Sequence, residues 1–216
     1  EKINLHFPDG VFYPTGTTKA LIDAYQKTVK QPGKTLDLGC GSGVLGIILN
    51  KLGMAGDCLY ASDLSQNAVD CTIHNAEMHN IQYDVRQGSC FEPWENEKFY
   101  TIVNDVSGVT EEVAALSPWF ENVPCESGED GSQLVVDVLS KAPQYMTLQG
   151  QFLFPVVSFS KVGNIIHAAK NSFTKVERVS HVEWPLPEEM KEHTEKLIAL
   201  KEKGLIEFEE KFGMII

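Results

Sequence analysis

No apolar run in this chain approaches the roughly 20 residues that a membrane-spanning helix needs, and no run of lysine and arginine forms a basic patch. The first absence argues against membrane insertion. The second argues against DNA or RNA as a substrate: 18 Lys and Arg stand against 30 Asp and Glu, a formal net charge of −12, and nucleic-acid binding depends on neutralising phosphates. Paired cysteines are absent as well. Cys40, Cys58, Cys71, Cys90 and Cys125 are odd in number and scattered, without the close spacing of a zinc site or the even count of a disulfide framework. Reduced thiols, no metal and a cytoplasmic location are the expectation. Residues 1–10 carry neither a basic n-region nor an apolar h-region; the sequence starts at Glu1 rather than Met, so this concerns only the residues present.

Internal repeats and low-complexity linkers are also missing. What remains is ordinary globular composition, 43% hydrophobic and 22% charged over 216 residues, enough for one sizeable core. Residues 1–30 read as an N-terminal appendage with a lid helix starting near Thr17 or Thr18, and residues 31–216 as one domain. From Lys34 onward, short apolar runs alternate with helical patterns, as parallel β-α units do. Strands are predicted at Thr35–Leu38, Cys58–Ser62, Tyr83–Arg86, Phe99–Val103, Gln151–Ser158, Val176–Trp184 and from Leu205 onward. Helices are predicted at Gly43–Leu52, from Ser65 to about His79, and at Gly131–Tyr145, Val162–Asn171 and Glu188–Lys203. The sum is an α/β protein with a Rossmann-like, doubly wound sheet of about seven strands.

The most informative stretch is Leu36-Asp37-Leu38-Gly39-Cys40-Gly41-Ser42-Gly43-Val44-Leu45-Gly46, where a strand turns into a helix. Glycines there permit positive φ and let a ligand approach the main chain. Two ligands compete for the pattern. Gly41, Gly43 and Gly46 have the dinucleotide spacing G-x-G-x-x-G, and Asp63 lies about as far downstream as the ribose-binding acid of that fingerprint, so NAD is viable on this count. Asp37 discriminates. A carboxylate beside a pyrophosphate would be repelled by roughly a few kcal/mol in a partly dry site, whereas a ligand with a cationic end would be attracted.

The stretch resembles motif I of the class I methyltransferases, an acidic residue followed by G-x-G-x-G, matched by Asp37, Gly39, Gly41 and Gly43. That resemblance implies S-adenosyl-L-methionine as cofactor, and the class I fold with its last strand reversed. It sets Asp37 near the methionine part and Asp63 on the ribose hydroxyls, with Cys40 and Leu64 beside them. At the end of the third strand the family often shows Gly-Asp, whose Asp contacts the adenine; here Gly88-Ser89-Cys90 stands, and Ser89 can make a weaker hydrogen bond or serve as a turn residue.

Phe99-Tyr100-Thr101-Ile102-Val103-Asn104-Asp105-Val106-Ser107-Gly108 looks like the fourth motif of methyltransferases that modify amide or exocyclic nitrogens. The wider frame, with Val11-Phe12-Tyr13-Pro14-Thr15-Gly16-Thr17-Thr18 and Gly128-Glu129-Asp130-Gly131, is similar to the small-methyltransferase and release-factor glutamine methyltransferase branch. Only the acidic position survives in the fourth motif, as Asp105. Val106, Ser107 and Gly108 replace two prolines and an aromatic, so glutamine or adenine N-methylation in the usual manner is not expected, and another acceptor is left open.

Asp105 is the candidate catalytic residue, with Asn104 beside the cofactor; a strand-end residue bonding a backbone N–H is the plainer reading of Asp105. Tyr13, Thr17 and Thr18 are candidates for a lid, although a helix cap explains the threonines as well. Ser107 and Trp119 are candidates for the substrate side. The charged stretch Glu188–Lys203 reads as a solvated amphipathic helix that could also cover the site or mediate a homodimer. The leading function is a methyltransferase acting on a small molecule or a protein. The alternatives are a cofactor-binding partner subunit without catalysis, and an NAD-dependent oxidoreductase.

Overall fold

Alternation of apolar runs with amphipathic stretches is what a parallel sheet requires, because each crossover helix must bury one stripe on the strands it connects. A computed structural model describes residues 3–31, 33–56, 58–211 and 214–216. The chain divides into two units, Glu1–Val106 with Lys141–Pro155, and Ser107–Ser140 with Val156–Ile216.

The first unit holds α1 (Gly16–Thr28), β1 (Thr35–Leu38), α2 (Val44–Lys51), β2 (Leu59–Asp63), α3 (Gln66–Met78), β3 (Tyr83–Gln87), β4 (Phe99–Asn104) and β5 (Met146–Leu153). The strands form one sheet in the order β3-β2-β1-β4-β5, and every pair in it is parallel. Register aligns Val85, Ala61, Asp37, Val103 and Leu153 in a row across the sheet, so their side chains share a face. On that face Leu21, Ile22 and Tyr25 of α1 and Leu45 and Leu49 of α2 pack with Val103 and Leu153. Beside them Ile47 of α2, Leu59, Ala76 of α3 and Ile81 form a second cluster, with Tyr83 against it. On the opposite pleat Tyr60 stands edge-to-face with Trp94 and Phe99, Arg86 lies over Trp94 and Lys34 over Tyr60.

Strand β1 falls where the sequence predicts it. β5 does not: it begins at Met146 rather than Gln151. Its first half, Thr147, Leu148 and Gln149, is exposed, and hydropathy registers only the inner end of such an edge strand; beyond it Pro155 can donate no ladder hydrogen bond.

The second unit carries α4 (Glu111–Leu116), most of α5 (Gln133–Lys141), α6 (Val162–Ser172), α7 (Thr194–Glu202), and the short strands β6 (Glu210–Lys211) and β7 (Met214–Ile215). Its core joins Val113, Leu186, Met190, Leu197, Leu200, Ile206 and Phe208. The expected count of seven sheet strands is corrected here. Among the described residues the parallel sheet has five strands, and β6 and β7 pair antiparallel in a separate ribbon. Among the described residues Val176–Trp184 has no strand pairing, and Val179, Val182 and Trp184 are exposed; alternation alone makes no strand where no neighbour buries one side. The expected helix Glu188–Lys203 is a 3-10 turn, Glu188–His193, running into α7. Phe212 and Gly213, within the expected closing strand, lie outside the described residues.

Candidate functional site

The carboxyl ends of β1, β2 and β4 lie side by side, because Leu38 is paired with both Ser62 and Asn104. Just past β1 the chain turns through Gly39, Gly41 and Gly43 with φ of 73°, 54° and 74°, left-handed conformations that side chains disfavour. The N–H groups of Gly39 and Cys40 donate to the Ser62 carbonyl at 2.9 and 3.2 Å. Thr72 Oγ1, from α3, donates to the Gly41 carbonyl at 3.0 Å. A Cβ on Gly43 would stand 2.7 Å from Thr72 Cγ2. The turn is thus pinned by β2 and α3, and glycine is needed for fit as well as conformation.

Three carboxylates belong to this end of the sheet. Asp37 is 2% exposed. Its Oδ2 accepts a hydrogen bond from Tyr83 Oη at 3.2 Å, and its Oδ1 accepts none among the described residues. Burial, and after it the charge of Asp105, pushes its pKa up to about 7, while the Tyr83 hydroxyl pulls the other way. Asp105 prolongs the pairing of β4 with β1 through its N–H, 3.0 Å from the Leu38 carbonyl, and its Oδ2 accepts from Thr18 Oγ1 of α1 at 3.0 Å. Burial raises its pKa to about 7 too. Asp63 closes β2: Oδ2 accepts from the Gly41 N–H at 3.0 Å and Oδ1 from the Ser65 N–H at 2.9 Å. Burial raises its pKa, and these N–H groups restrain the rise.

Asn104, beside Asp105, is buried with neither its Oδ1 nor its Nδ2 partnered among the described residues. A buried polar atom left unpaired costs about 1–3 kcal/mol, and such groups in native proteins call for an explanation, of which a missing ligand is one. Unsatisfied Asp37 and Asn104 and a left-handed glycine turn make a site for a compact ligand with a cationic part. The buried carboxylate of Asp37 and the half-buried one of Asp105 oppose a diphosphate.

Residues 4–105 match the family model "Methyltransferase small domain". Over 89 residues the chain is 36% identical to a ribosomal protein L11 methyltransferase of Thermosipho melanesiensis, 40% of this chain and 34% of that protein. A second of that name, from Thermoanaerobacter pseudethanolicus, is 22% identical over 189 residues, 85% of this chain and 52% of the relative. The chain therefore spans about a third to a half of the length of these relatives. A crystal structure of ribosomal protein L11 methylase from Lactobacillus delbrueckii subsp. bulgaricus superimposes with a TM-score of 0.57 at 18% identity, covering 84% of this chain and 78% of that one. A methyltransferase from Pyrococcus furiosus gives 0.59 at 12%, covering 78% and 77%. The fold is the class I methyltransferase fold.

Within residues 4–105, the glycine turn, Asp37, Asp63, Asn104, Asp105 and Thr18 come together at one end of the sheet. Cys40 is buried there, its Sγ 3.4 Å from Thr72 Oγ1, and burial followed by the Asp37 charge holds its thiol well above the ordinary range. Cys90 has φ of 49° and its carbonyl accepts from Ser62 Oγ at 2.8 Å. The Ser89 N–H donates to Glu92 Oε2 at 3.1 Å, a turn contact. Leu64 is exposed, and Tyr13 is 65% exposed, packed on Phe7 at 4.4 Å between ring centroids.

The helix cap is Thr15, whose side chain accepts from the Thr17 N–H, so capping accounts for neither Thr17 nor Thr18. Ser107 and Trp119 belong to the second unit; Ser107 meets Ser127 Oγ, 2.8 Å from its carbonyl and 2.9 Å from its hydroxyl, and Trp119 packs against that unit's core. Sequence reasoning missed Tyr83 and Thr72. Their only sequence trace is the glycine each sits against, since a Cβ on Gly46 would meet Tyr83 Oη at 2.0 Å and one on Gly43 would meet Thr72.

Proposed function

We propose that this protein binds S-adenosyl-L-methionine and catalyses methyl transfer to a protein acceptor. The observation that carries the reading is the pair of carboxylates beside the left-handed glycine turn, Asp37 buried and Asp105 half-buried. When bound, the cofactor supplies an electrophilic methyl on a positively charged sulfur together with an ammonium group, charges that this pair favours. Asp37 would hold the ammonium, Asp63 the ribose hydroxyls, the turn from Gly39 to Gly43 the backbone contacts, and Asn104 would supply its free donor and acceptor. Ser89, Cys90, Leu64 and Cys40 would line the adenosine side.

Asp105 would act on the acceptor. Thr18 occupies one of its carboxylate oxygens, and the other can take a proton from an attacking nitrogen or oxygen. A pKa of about 7 suits a base that works near neutral pH. Asp105 would take the acceptor's proton as the acceptor displaces the methyl from the sulfonium that the bound cofactor would supply. A protein acceptor is supported by the relatives named as ribosomal protein L11 methyltransferases and by the charge of −12, which favours a cationic partner. The fourth-motif departures at Val106, Ser107 and Gly108 count against a planar amide held between prolines and an aromatic ring. A cytoplasmic location is part of the proposal; among the described residues no helix is long and apolar enough to cross a membrane.

The test is production of S-adenosylhomocysteine on mixing the protein, S-adenosylmethionine and ribosomal protein L11. Product that depends on the protein acceptor supports the reading. Binding without product, across L11 and a panel of basic proteins, returns the chain to a cofactor-binding partner subunit.

A further inference from the structure

Tyr83 sits on β3, two strands away from Asp37, yet its hydroxyl crosses the intervening strand β2 on the shared face of the sheet and donates to Asp37 Oδ2 at 3.2 Å. The side chain is half-buried, and its hydroxyl lies against the first turn of α2. A Cβ at Gly46 would stand 2.0 Å from Tyr83 Oη and 2.6 Å from Cζ, so the third glycine of the motif is the space this hydroxyl occupies. The dinucleotide-like spacing of Gly41, Gly43 and Gly46 thereby acquires a different cause: Gly46 admits a phenol to the carboxylate.

Desolvation, then the charge of Asp37, lifts the Tyr83 hydroxyl well above its ordinary range, so it stays protonated and acts only as a donor to the carboxylate. With Oδ2 so held, Oδ1 is the oxygen without a hydrogen bond among the described residues, the Gly46 N–H lying near the carboxylate.

We propose that Tyr83 is a positioning residue for ligand binding: it fixes one oxygen of Asp37 and leaves the other oxygen to the ligand's cation. This rests on the assignment of S-adenosylmethionine to the site. The groups facing Asp37 are Tyr83, Asp105, Asp63, Cys40 and the Gly46 N–H. Asp105 and Asp63 raise its pKa; Tyr83 and Gly46 lower it. Removing the phenol oxygen therefore moves Asp37 further up, and the cation site is neutralised at a higher pH.

The experiment titrates wild type and Tyr83→Phe with S-adenosylmethionine and with 5′-methylthioadenosine, which lacks the ammonium-bearing arm, from pH 6 to pH 9. At neutral pH the variant binds S-adenosylmethionine about tenfold more weakly, as loss of a hydrogen bond to a charged group gives. Its loss of affinity on acidification begins at higher pH than in wild type, and the gap narrows toward pH 9. Affinity for 5′-methylthioadenosine is unchanged, which also shows the variant folded. Gly46→Ala, which displaces the hydroxyl without removing it, gives the same pattern. Equal S-adenosylmethionine affinity at every pH, or equal loss for both ligands with no shift in the profile, overturns the role of Tyr83 while leaving the cofactor assignment intact. Wild type that binds 5′-methylthioadenosine and S-adenosylmethionine not at all overturns both.

Discussion

Thr18 Oγ1 of α1 lies 3.0 Å from Asp105 Oδ2 at the end of β4, so the N-terminal helix hands a hydrogen bond to the residue proposed as base. Thr18 is buried, and no backbone group of its own helix takes this hydroxyl. The bond has one direction: Thr18 donates and lowers the pKa that burial has raised.

Thr18→Val removes the donor at nearly constant volume. Turnover should fall about tenfold at neutral pH, with cofactor affinity within twofold of wild type. The acid limb of the pH–rate profile should move up, because Asp105 without its donor is protonated at higher pH. Steady-state kinetics across pH 6–9 beside calorimetry checks both parts.

Asp63→Ala removes the acceptor of two backbone N–H groups, those of Gly41 and Ser65. S-adenosylmethionine affinity should weaken by about 1–3 kcal/mol, read by calorimetry. Unchanged affinity would count against the ribose role.

Asp37 and Asp105 predict a distinctive dependence of stability on pH. Each has a pKa of about 7 in the fold, against 3.8 ordinarily, so between these values the folded chain holds protons that the unfolded chain has released. Their contribution is fully present below about pH 4 and is lost as pH rises through 7. Asp105→Asn should remove part of that loss and stabilise the protein above pH 7 by a few kcal/mol, on the order of 1.4 kcal/mol per unit of pKa difference. Denaturant midpoints of wild type and variant at pH 5 and pH 8 test the sign.

Gly43→Ala meets both a φ of +74° and Thr72 Cγ2 at 2.7 Å, whereas Gly53→Ala meets a φ of +68° with nothing within 4 Å. Both should destabilise through the backbone, by about 1–2 kcal/mol, and Gly43→Ala by more. Thermal melts of the pair separate the steric part.

Much of this arrangement was legible in the sequence because glycine writes a backbone demand directly into composition. The left-handed turn, the strand before it and Asp63 after the next strand follow from spacing. Tyr83 was not legible: it lies 46 residues from Asp37, and only the register of β1, β2 and β3 brings the two together. Val176–Trp184 misled through alternation, a local pattern that cannot say whether a sheet lies alongside. Thr18 was read as a cap or a lid, since a single sequence carries no sign of the distance from α1 to the end of β4.

The most direct measurement is calorimetric titration of the unmodified protein with S-adenosylmethionine and, separately, NAD at pH 8, where Asp37 and Asp105 are ionised. Saturable one-to-one binding of the sulfonium compound, weakening at pH 6, with no heat from the dinucleotide is the predicted result. Tight NAD binding with no response to S-adenosylmethionine would contradict the account.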